Sequence, residues 1–218
     1  MISLKLLISL SIGAVAMLAL LIIQGAWYDI KLQKRLILTA FLTVAGTIGT
    51  YIMFYIENGW IGGTSFFGAV FFVPIALWPL AKLLKVPYGT LAGICAPEGC
   101  IILVIMKIKC FLGGCCRGRT VCFGENEFVF PSQIVEMANA FLIFSILMFL
   151  SYRRKNVERI YPLFLIFYGV SRFILNTFRE VWVTTEMFLP FGNIWSLVSI
   201  FAGALWLIII CKKTREKG

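Results

Sequence analysis

The sequence MKIKCFLGGCCRGR, residues 106–119, interrupts a chain that is otherwise almost continuously apolar, and FPSQIVE follows it at residues 130–136. Glycine, cysteine and basic residues are concentrated in these two stretches. Apolar runs of about 20 residues, long enough to cross a membrane, lie on both sides of them. Because residues 107–130 are too polar and too rich in glycine to cross a membrane, we expect a membrane protein whose functional site is centred on this segment.

The composition supports a membrane protein that crosses the bilayer several times. Of the 218 residues, 61% are hydrophobic and 14% are charged, whereas soluble domains have about 45–50% apolar and about 25% charged residues. We predict an all-α bundle formed by residues 1–218 as one domain. Its seven membrane helices are expected at residues 6–23, 36–56, 61–84, 88–106, 133–152, 161–178 and 194–211. The fourth helix contains Pro97, so we expect it to be kinked or broken there.

The distribution of positive charge predicts the orientation of the bundle. The net charge is +10, and 13 of the 20 basic residues fall on one side if the C-terminus is cytoplasmic. Since cytoplasmic loops of membrane proteins are enriched in Lys and Arg, we predict an outside N-terminus and a cytoplasmic C-terminus. No basic face exists apart from these loops, so nucleic-acid binding is not expected.

The sequence contains no histidine and seven cysteines. The absence of histidine removes the commonest general base and the commonest metal ligand. The spacing C-x4-C-C-x5-C, from Cys110 to Cys122, lacks the C-x2-C pairs of zinc sites, so no metal is expected. A disulfide on the outer face is one interpretation, and plain packing is the one we favour. A reactive Cys115 or Cys116 thiolate, activated by flanking basic residues, is a further alternative.

Two arginines near the sixth apolar segment suggest a binding pocket. Arg172 lies within the segment and Arg179 seven residues later, two helical turns away, so both project from roughly one helix face. An arginine at membrane depth is costly and normally faces a partner or a polar cavity. Glu98 and Glu136 are its candidate partners. One interpretation is an ion pair that only stabilises the fold. The other is a cationic pocket that binds a lipid phosphate.

The phosphate interpretation draws on the arginine side chain and on the glycines. The planar guanidinium group matches phosphate oxygens, and Lys107, Arg117 and Arg119 are placed to complete a cradle. Gly113 and Gly114 would let backbone N–H groups approach an anion closely.

These residues carry a resemblance to the prolipoprotein diacylglyceryl transferase family, and the resemblance covers most of residues 62–211. The family signature GRxGNFxNGExxGR aligns with residues 106–119 and its HPSQLYE with FPSQIVE. Its YGxxRFxxExxR aligns with YGVSRFILNTFR at residues 168–179, and its Ala-Pro with Ala96-Pro97. Seven membrane helices in the same orientation are also typical of the family.

The resemblance implies an activity for the pocket. The family transfers the diacylglyceryl group of phosphatidylglycerol to the lipobox cysteine thiol of preprolipoproteins, at the outer face of the bacterial inner membrane. Arginines would then hold a phosphate that becomes the leaving group, without a metal or other cofactor. We predict catalytic roles for Arg172, Lys107 and Glu136. The predicted phospholipid-binding residues are Arg179, Arg119, Arg117, Gly113, Gly114, Gly118, Gln133, Tyr168, Asn176 and Phe67. The predicted partners are phosphatidylglycerol, other membrane lipid and the preprolipoprotein lipobox segment.

Several positions depart from the family pattern. Lys107 replaces the signature arginine, Asn176 a glutamate, and Phe67 occupies the position of the family's functional histidine. Without that histidine, the acceptor proton would pass to Glu136, to Glu98 or to water. Two alternatives therefore stay open, namely a transferase with another acceptor and a phospholipid-binding membrane protein without catalytic activity.

Overall fold

Seven α-helices account for most of the chain in its computed structural model, which describes residues 4–60, 62–123, 126–179 and 190–216. They are α1 (Leu4–Trp27), α2 (Leu32–Asn58), α3 (Phe66–Leu84), α4 (Tyr88–Leu112), α5 (Ser132–Tyr152), α6 (Ile160–Asn176) and α7 (Phe191–Arg215). A short 3-10 helix, Val157–Arg159, precedes α6. An antiparallel hairpin of β1 (Thr120–Phe123) and β2 (Asn126–Val129) lies between α4 and α5.

Helices of membrane-crossing length confirm the prediction of an all-α membrane fold. In the described residues, five helices are long and apolar enough to cross a bilayer, namely α2, α3, α4, α5 and α7. Helix α6, with 17 residues, is shorter. The two-stranded hairpin is an addition that the all-α prediction did not contain.

Helix α4 is the centre of the bundle, where it packs against α1, α3, α5 and α6. Every residue from 91 to 98 is buried, and all of them except Glu98 are apolar or small, as expected of a helix that other helices surround. Close helix contacts elsewhere depend on small residues. A Cβ on Gly49 of α2 or on Gly68 of α3 would overlap the backbone of the other helix.

The described helices correct two details of the sequence-based prediction. Helix α4 is continuous through Pro97, so no break occurs there. It also continues beyond residue 106 to Leu112, because the first helix-ending signal is Gly113-Gly114 and not the charge of Lys107. The connection between the sixth and seventh predicted helices falls mostly on residues 180–189, which lie outside the described residues.

Candidate functional site

Glu136 binds three cations where the ends of three helices meet. In this Glu136 cluster, the Lys107 Nζ atom of α4 lies 2.6 Å from the Glu136 Oε2 atom of α5. The Arg172 Nη1 group of α6 donates a hydrogen bond to the same oxygen. The Arg179 Nε atom, just beyond α6, lies 3.9 Å from Oε1. The four side chains are between 4% and 16% exposed, so the cluster is largely shielded from solvent.

The cluster carries more positive than negative charge. Three cations face one carboxylate in direct contact, which leaves an excess of two positive charges. The Nε groups of Arg172 and Arg179 are buried and have no hydrogen-bond partner in the described part of the chain. The neighbouring Arg172 guanidinium, together with burial, lowers the pKa of Arg179. Cations that repel one another and have unused donors favour the binding of an anion.

The cluster identifies the partner of the membrane-depth arginine. Of the two carboxylates proposed from the sequence, Glu136 pairs with Arg172. Glu98 is 2% exposed within α4, and neither of its carboxylate oxygens has a partner in the ranges described. The prediction that Glu98 is an alternative partner of Arg172 is therefore wrong.

Residues 118–119 attach the loop after α4 to the neighbouring helices. Gly118 forms an isolated β-bridge with Arg179. The Arg119 N–H group donates to the Phe178 carbonyl over 2.9 Å, and the Phe130 N–H group donates to the Arg119 carbonyl over 3.0 Å. A Cβ on Gly118 would collide with the Phe130 carbonyl. Glycine is therefore needed for the close approach that fixes the backbone of Arg179.

The other two predicted arginines lie around the cluster and not in it. The Arg119 guanidinium is stacked over the Phe178 ring, 5.7 Å from its centroid. Arg117 is exposed to solvent. Neither forms an ion pair with Glu136 in this conformation, so both belong to the outer edge of the site.

Gly113 and Gly114 end helix α4, and their N–H groups are occupied. The Gly113 N–H group donates to the Lys109 carbonyl (2.9 Å), and the Gly114 N–H group donates to the Phe111 carbonyl (3.3 Å). The Cys115 N–H group donates to the Cys110 carbonyl, and Gly114 has φ 66°. This is the Schellman motif of helix C-termini. The expectation that the two glycine N–H groups bind an anion is therefore not met.

The start of α5 holds the segment that follows this turn. The Ser132 Oγ group donates to the Cys116 carbonyl and the Gln133 Nε2 group donates to the Cys115 carbonyl, each over 2.7 Å. Gln133, predicted as a lipid-binding residue, thus positions this loop. Glu136 lies one turn further along α5, at the same end of the bundle.

The remaining predicted residues lie on the inner and lateral sides of the cluster. Tyr168, one turn before Arg172, packs its ring against Phe67 (5.3 Å between centroids), and both are buried. At the position assigned to the family's histidine, Phe67 is therefore part of a buried aromatic cluster. The Asn176 Nδ2 group donates to the Asn193 Oδ1 atom over 2.8 Å, so it is directed towards α7.

Three cysteines come together beside the cluster, which the sequence spacing did not predict. The Sγ atoms of Cys110, Cys115 and Cys116 all lie within 4.8 Å of one another, and those of Cys110 and Cys116 are 3.9 Å apart. All three are free thiols. The hydrogen bond with Cys110, together with the charges of Lys107 and Arg179, lowers the pKa of Cys116, although burial acts in the opposite direction.

Glu57, which lies between the second and third predicted helices, is a further member of the site that the sequence analysis did not identify. Its Oε1 atom accepts a hydrogen bond from the Ser65 Oγ group over 2.7 Å, and its carboxyl interacts electrostatically with Arg172 and Arg179. Even if Glu57 is ionised, the cations remain in excess by one charge. Its position depends on how α2 and α3 pack, which a sequence pattern does not contain.

Comparison with known proteins identifies similar chains. The family described as prolipoprotein diacylglyceryl transferase matches residues 5–209. The chain is 28% identical over 172 residues to a protein of Mannheimia succiniciproducens named phosphatidylglycerol--prolipoprotein diacylglyceryl transferase, a match that covers 73% of this chain. Proteins with the same name from Geobacter sulfurreducens and Acinetobacter baumannii are 32% identical over 130 residues and 33% identical over 166 residues, covering 56% and 64% of this chain.

The chain spans only part of the length of these curated relatives. The matched regions cover 64% of the Mannheimia protein, 50% of the Geobacter protein and 60% of the Acinetobacter protein.

Proposed function

The chain belongs to the prolipoprotein diacylglyceryl transferase family, and from this membership we propose that it transfers the diacylglyceryl group of phosphatidylglycerol to the lipobox cysteine thiol of preprolipoproteins. The names of the relatives described above mention phosphatidylglycerol and a prolipoprotein.

The excess positive charge of the Glu136 cluster carries this proposal. In the transfer, the acceptor thiol gives its proton to water, and its sulfur attacks a glyceryl carbon of the lipid and forms a C–S bond. The C–O bond to the phosphate breaks, and its electron pair leaves with the phosphate oxygen as glycerol phosphate. Arg172 and Arg179, with buried donors that have no partner among the described residues, would stabilise the charge that develops on this leaving group. Lys107 would add a third cation to the same phosphate site.

Glu136 has a positioning role in this proposal. Its Oε2 atom is shared by Lys107 and Arg172, so the carboxylate holds both cations at one place. Removing it would leave three buried cations that repel one another. We therefore propose that Glu136 fixes the geometry of the phosphate site and does not remove the proton of the acceptor thiol.

The proposed orientation places this site at the outer face of a bacterial inner membrane. With seven crossings and the N-terminus outside, the C-terminal ends of α2, α4 and α6 and the N-terminal end of α5 all lie outside. These ends carry Glu57, Lys107, Arg172 and Glu136. The basic segments at residues 31–35, 82–85, 153–159 and 212–217 then face the cytoplasm, as the positive-inside rule requires.

A reconstituted turnover assay tests the proposal. The protein in detergent is mixed with phosphatidylglycerol and a lipobox peptide, and mass spectrometry follows a diacylglyceryl adduct on the peptide cysteine. We expect an adduct with the native protein and its loss in Arg172→Ala and Lys107→Ala. Lys109→Ala is the matched control, because Lys109 is exposed and lies only two residues from Lys107. An adduct formed equally well by Arg172→Ala would contradict the proposal.

One observation favours the two alternatives, a transferase with another acceptor and a lipid-binding protein without catalytic activity. The same assay distinguishes them from the proposed function. Phe67 is 3% exposed in an aromatic cluster, so no base occupies the position of the family's histidine. Release of glycerol phosphate without a peptide adduct would indicate another acceptor. Bound phosphatidylglycerol with neither product would indicate a lipid-binding protein without this chemistry.

A further inference from the structure

We propose that Cys110, Cys115 and Cys116 bind one zinc ion through three thiolates and leave its fourth position open to a thiol ligand. The zinc site is argued from this chain's geometry alone. The assignment of the thiol ligand, the acceptor cysteine, rests on the proposed function.

The sulfur positions fit a single metal ion. Tetrahedral zinc with Zn–S bonds of about 2.3 Å requires sulfur atoms about 3.8 Å apart. The Cys110 and Cys116 Sγ atoms are already 3.9 Å apart, and the Cys115 Sγ atom lies within 4.8 Å of both. Small side-chain rotations would therefore bring all three sulfurs to bonding distance without moving the backbone.

The backbone around the three cysteines is built to hold them together. The Schellman turn at Gly113-Gly114 reverses the chain, so that Cys115 and Cys116 return towards Cys110 in the last turn of α4. Cys116 has φ 59°, which is unfavourable for a residue with a Cβ. The hydrogen bonds from α5 to the Cys115 and Cys116 carbonyls hold this conformation. No metal was expected from the sequence because these cysteines lack C-x2-C spacing. The turn brings them together despite their spacing.

The ligand set favours an open site over a closed structural one. In the part of the chain that the structure describes, no fourth cysteine or carboxylate joins the group, and the sequence has no histidine. Cys122 is directed towards Glu127, 3.7 Å away. Zinc sites with three protein ligands keep their fourth position for water or a substrate, and the exposed Cys115 gives this position access from outside the protein.

The surrounding charge suits such a complex. Three thiolates and one zinc ion carry a net charge of −1. Lys107 lies one helical turn before Cys110, on the same face of α4, so the complex lies beside the excess positive charge of the Glu136 cluster. That proximity stabilises the anionic complex, and it places a zinc-bound thiol next to the proposed phosphate site.

An open zinc site would supply the activation that Phe67 cannot provide. A thiol that binds zinc loses its proton to water and becomes a thiolate. In the proposed transfer this sulfur forms the C–S bond, the C–O bond breaks, and the electron pair leaves with the phosphate oxygen. No oxidant or reductant is needed.

Cobalt substitution provides a test that does not depend on activity. The full chain in detergent is reduced, stripped of metal and titrated anaerobically with Co²⁺ and then Zn²⁺. We expect one Co²⁺ per chain, with tetrahedral visible bands and thiolate-to-cobalt charge-transfer bands that zinc abolishes. Each of Cys110→Ser, Cys115→Ser and Cys116→Ser should lower the charge-transfer intensity by about one third, since one of three thiolates is lost, and weaken zinc binding at least about tenfold. Cys122→Ser is the matched control and should resemble the native protein.

A lipobox peptide tests the fourth position. With the cysteine peptide, the charge-transfer intensity should rise by about one third as a fourth thiolate binds, whereas a peptide with serine in that place should have no effect. Circular dichroism establishes that each variant keeps its helices. If the native chain binds no cobalt, or forms a Cys110–Cys116 disulfide that persists after anaerobic isolation, the zinc site is refuted. An unchanged spectrum with the cysteine peptide refutes the open position.

Turnover separates this inference from the proposed function. Full turnover by the metal-free protein would preserve the proposed transferase and refute the role of zinc in it. A cobalt spectrum that responds to the peptide, without any turnover, would support the site and contradict the proposed reaction.

Discussion

Replacing Glu136 by glutamine removes the carboxylate that three buried cations share. Glutamine keeps the size of the side chain, so the change isolates charge from packing. The variant would hold Lys107, Arg172 and Arg179 close together without the counterion that now lies between them.

The distances give the scale of the expected effect. At an effective dielectric constant of about 20, the attraction between Lys107 and Glu136 at 2.6 Å is about 6 kcal/mol, and that between Arg179 and Glu136 at 3.9 Å is about 4 kcal/mol. Desolvation and repulsion among the cations offset much of this. Removal of one partner from a buried ion pair typically costs about 3–5 kcal/mol. For a chain of this size, that loss corresponds to a fall of about 6–20 °C in the midpoint of thermal unfolding.

Thermal unfolding in detergent, with and without added lipid, measures this effect. Glu136→Gln should unfold at a lower temperature than the native protein. Phosphatidylglycerol should then stabilise the variant more than it stabilises the native protein, because the uncompensated cations favour an anion. Zwitterionic phosphatidylcholine should not discriminate between the two. Glu98→Gln is the matched control, since Glu98 is equally buried but has no ion pair in the described residues, and its midpoint should change little.

The outcome that refutes this reasoning is a Glu136→Gln variant as stable as the native protein. It would mean that the three cations do not depend on Glu136. An equal stabilisation of both proteins by phosphatidylglycerol would contradict the assignment of an anion site to the cluster.

Three further predictions concern the loop after α4. Gly118→Ala should reduce transferase turnover at least about tenfold, because its Cβ would displace the Phe130 carbonyl and with it the bridge to the site. Gln133→Ala should lower the free energy of unfolding by about 0.5–1.5 kcal/mol, measured by denaturant titration, because the carbonyl of the exposed Cys115 exchanges this donor for water. The lowered pKa of Cys116 increases its thiolate fraction at neutral pH, so the half-maximal rate of alkylation by iodoacetamide should occur below the pH of about 8.5 that is typical of a free cysteine.

Each of these predictions has its own control. Gly99→Ala introduces a Cβ with ordinary contacts of 3.6 Å and should retain turnover. Gln133→Glu keeps the size of the side chain but not the donor, so it should resemble Gln133→Ala. If it behaves as the native protein does, the hydrogen bond is not the cause. The alkylation profile is measured with Cys115, Cys122 and Cys211 replaced by serine, and a midpoint above a pH of about 8.5 would contradict the stated direction of the pKa shift.

The sequence alone predicted the class of fold and named the four residues of the Glu136 cluster. Membrane-length apolar helices are evident from composition because the bilayer imposes one length and one polarity on every crossing segment. The pairing of Arg172 with Glu136 was among the predicted pairs, since an arginine at membrane depth requires a partner and the chain has few carboxylates. The seven-residue spacing predicted that Arg172 and Arg179 lie close together, because it corresponds to two helical turns, and both approach Glu136 although α6 ends at Asn176.

Only the tertiary structure decided which of these residues meet and how they are used. Glu98 and Glu136 are both carboxylates in apolar helices, and helix packing alone brings Glu136 to the cations. The loop glycines end α4 and do not present N–H groups to an anion, because the chain reverses there. The same reversal brings Cys110, Cys115 and Cys116 together. Residue spacing encodes contacts within one helix, whereas contacts between helix ends depend on where each helix stops and on what it packs against.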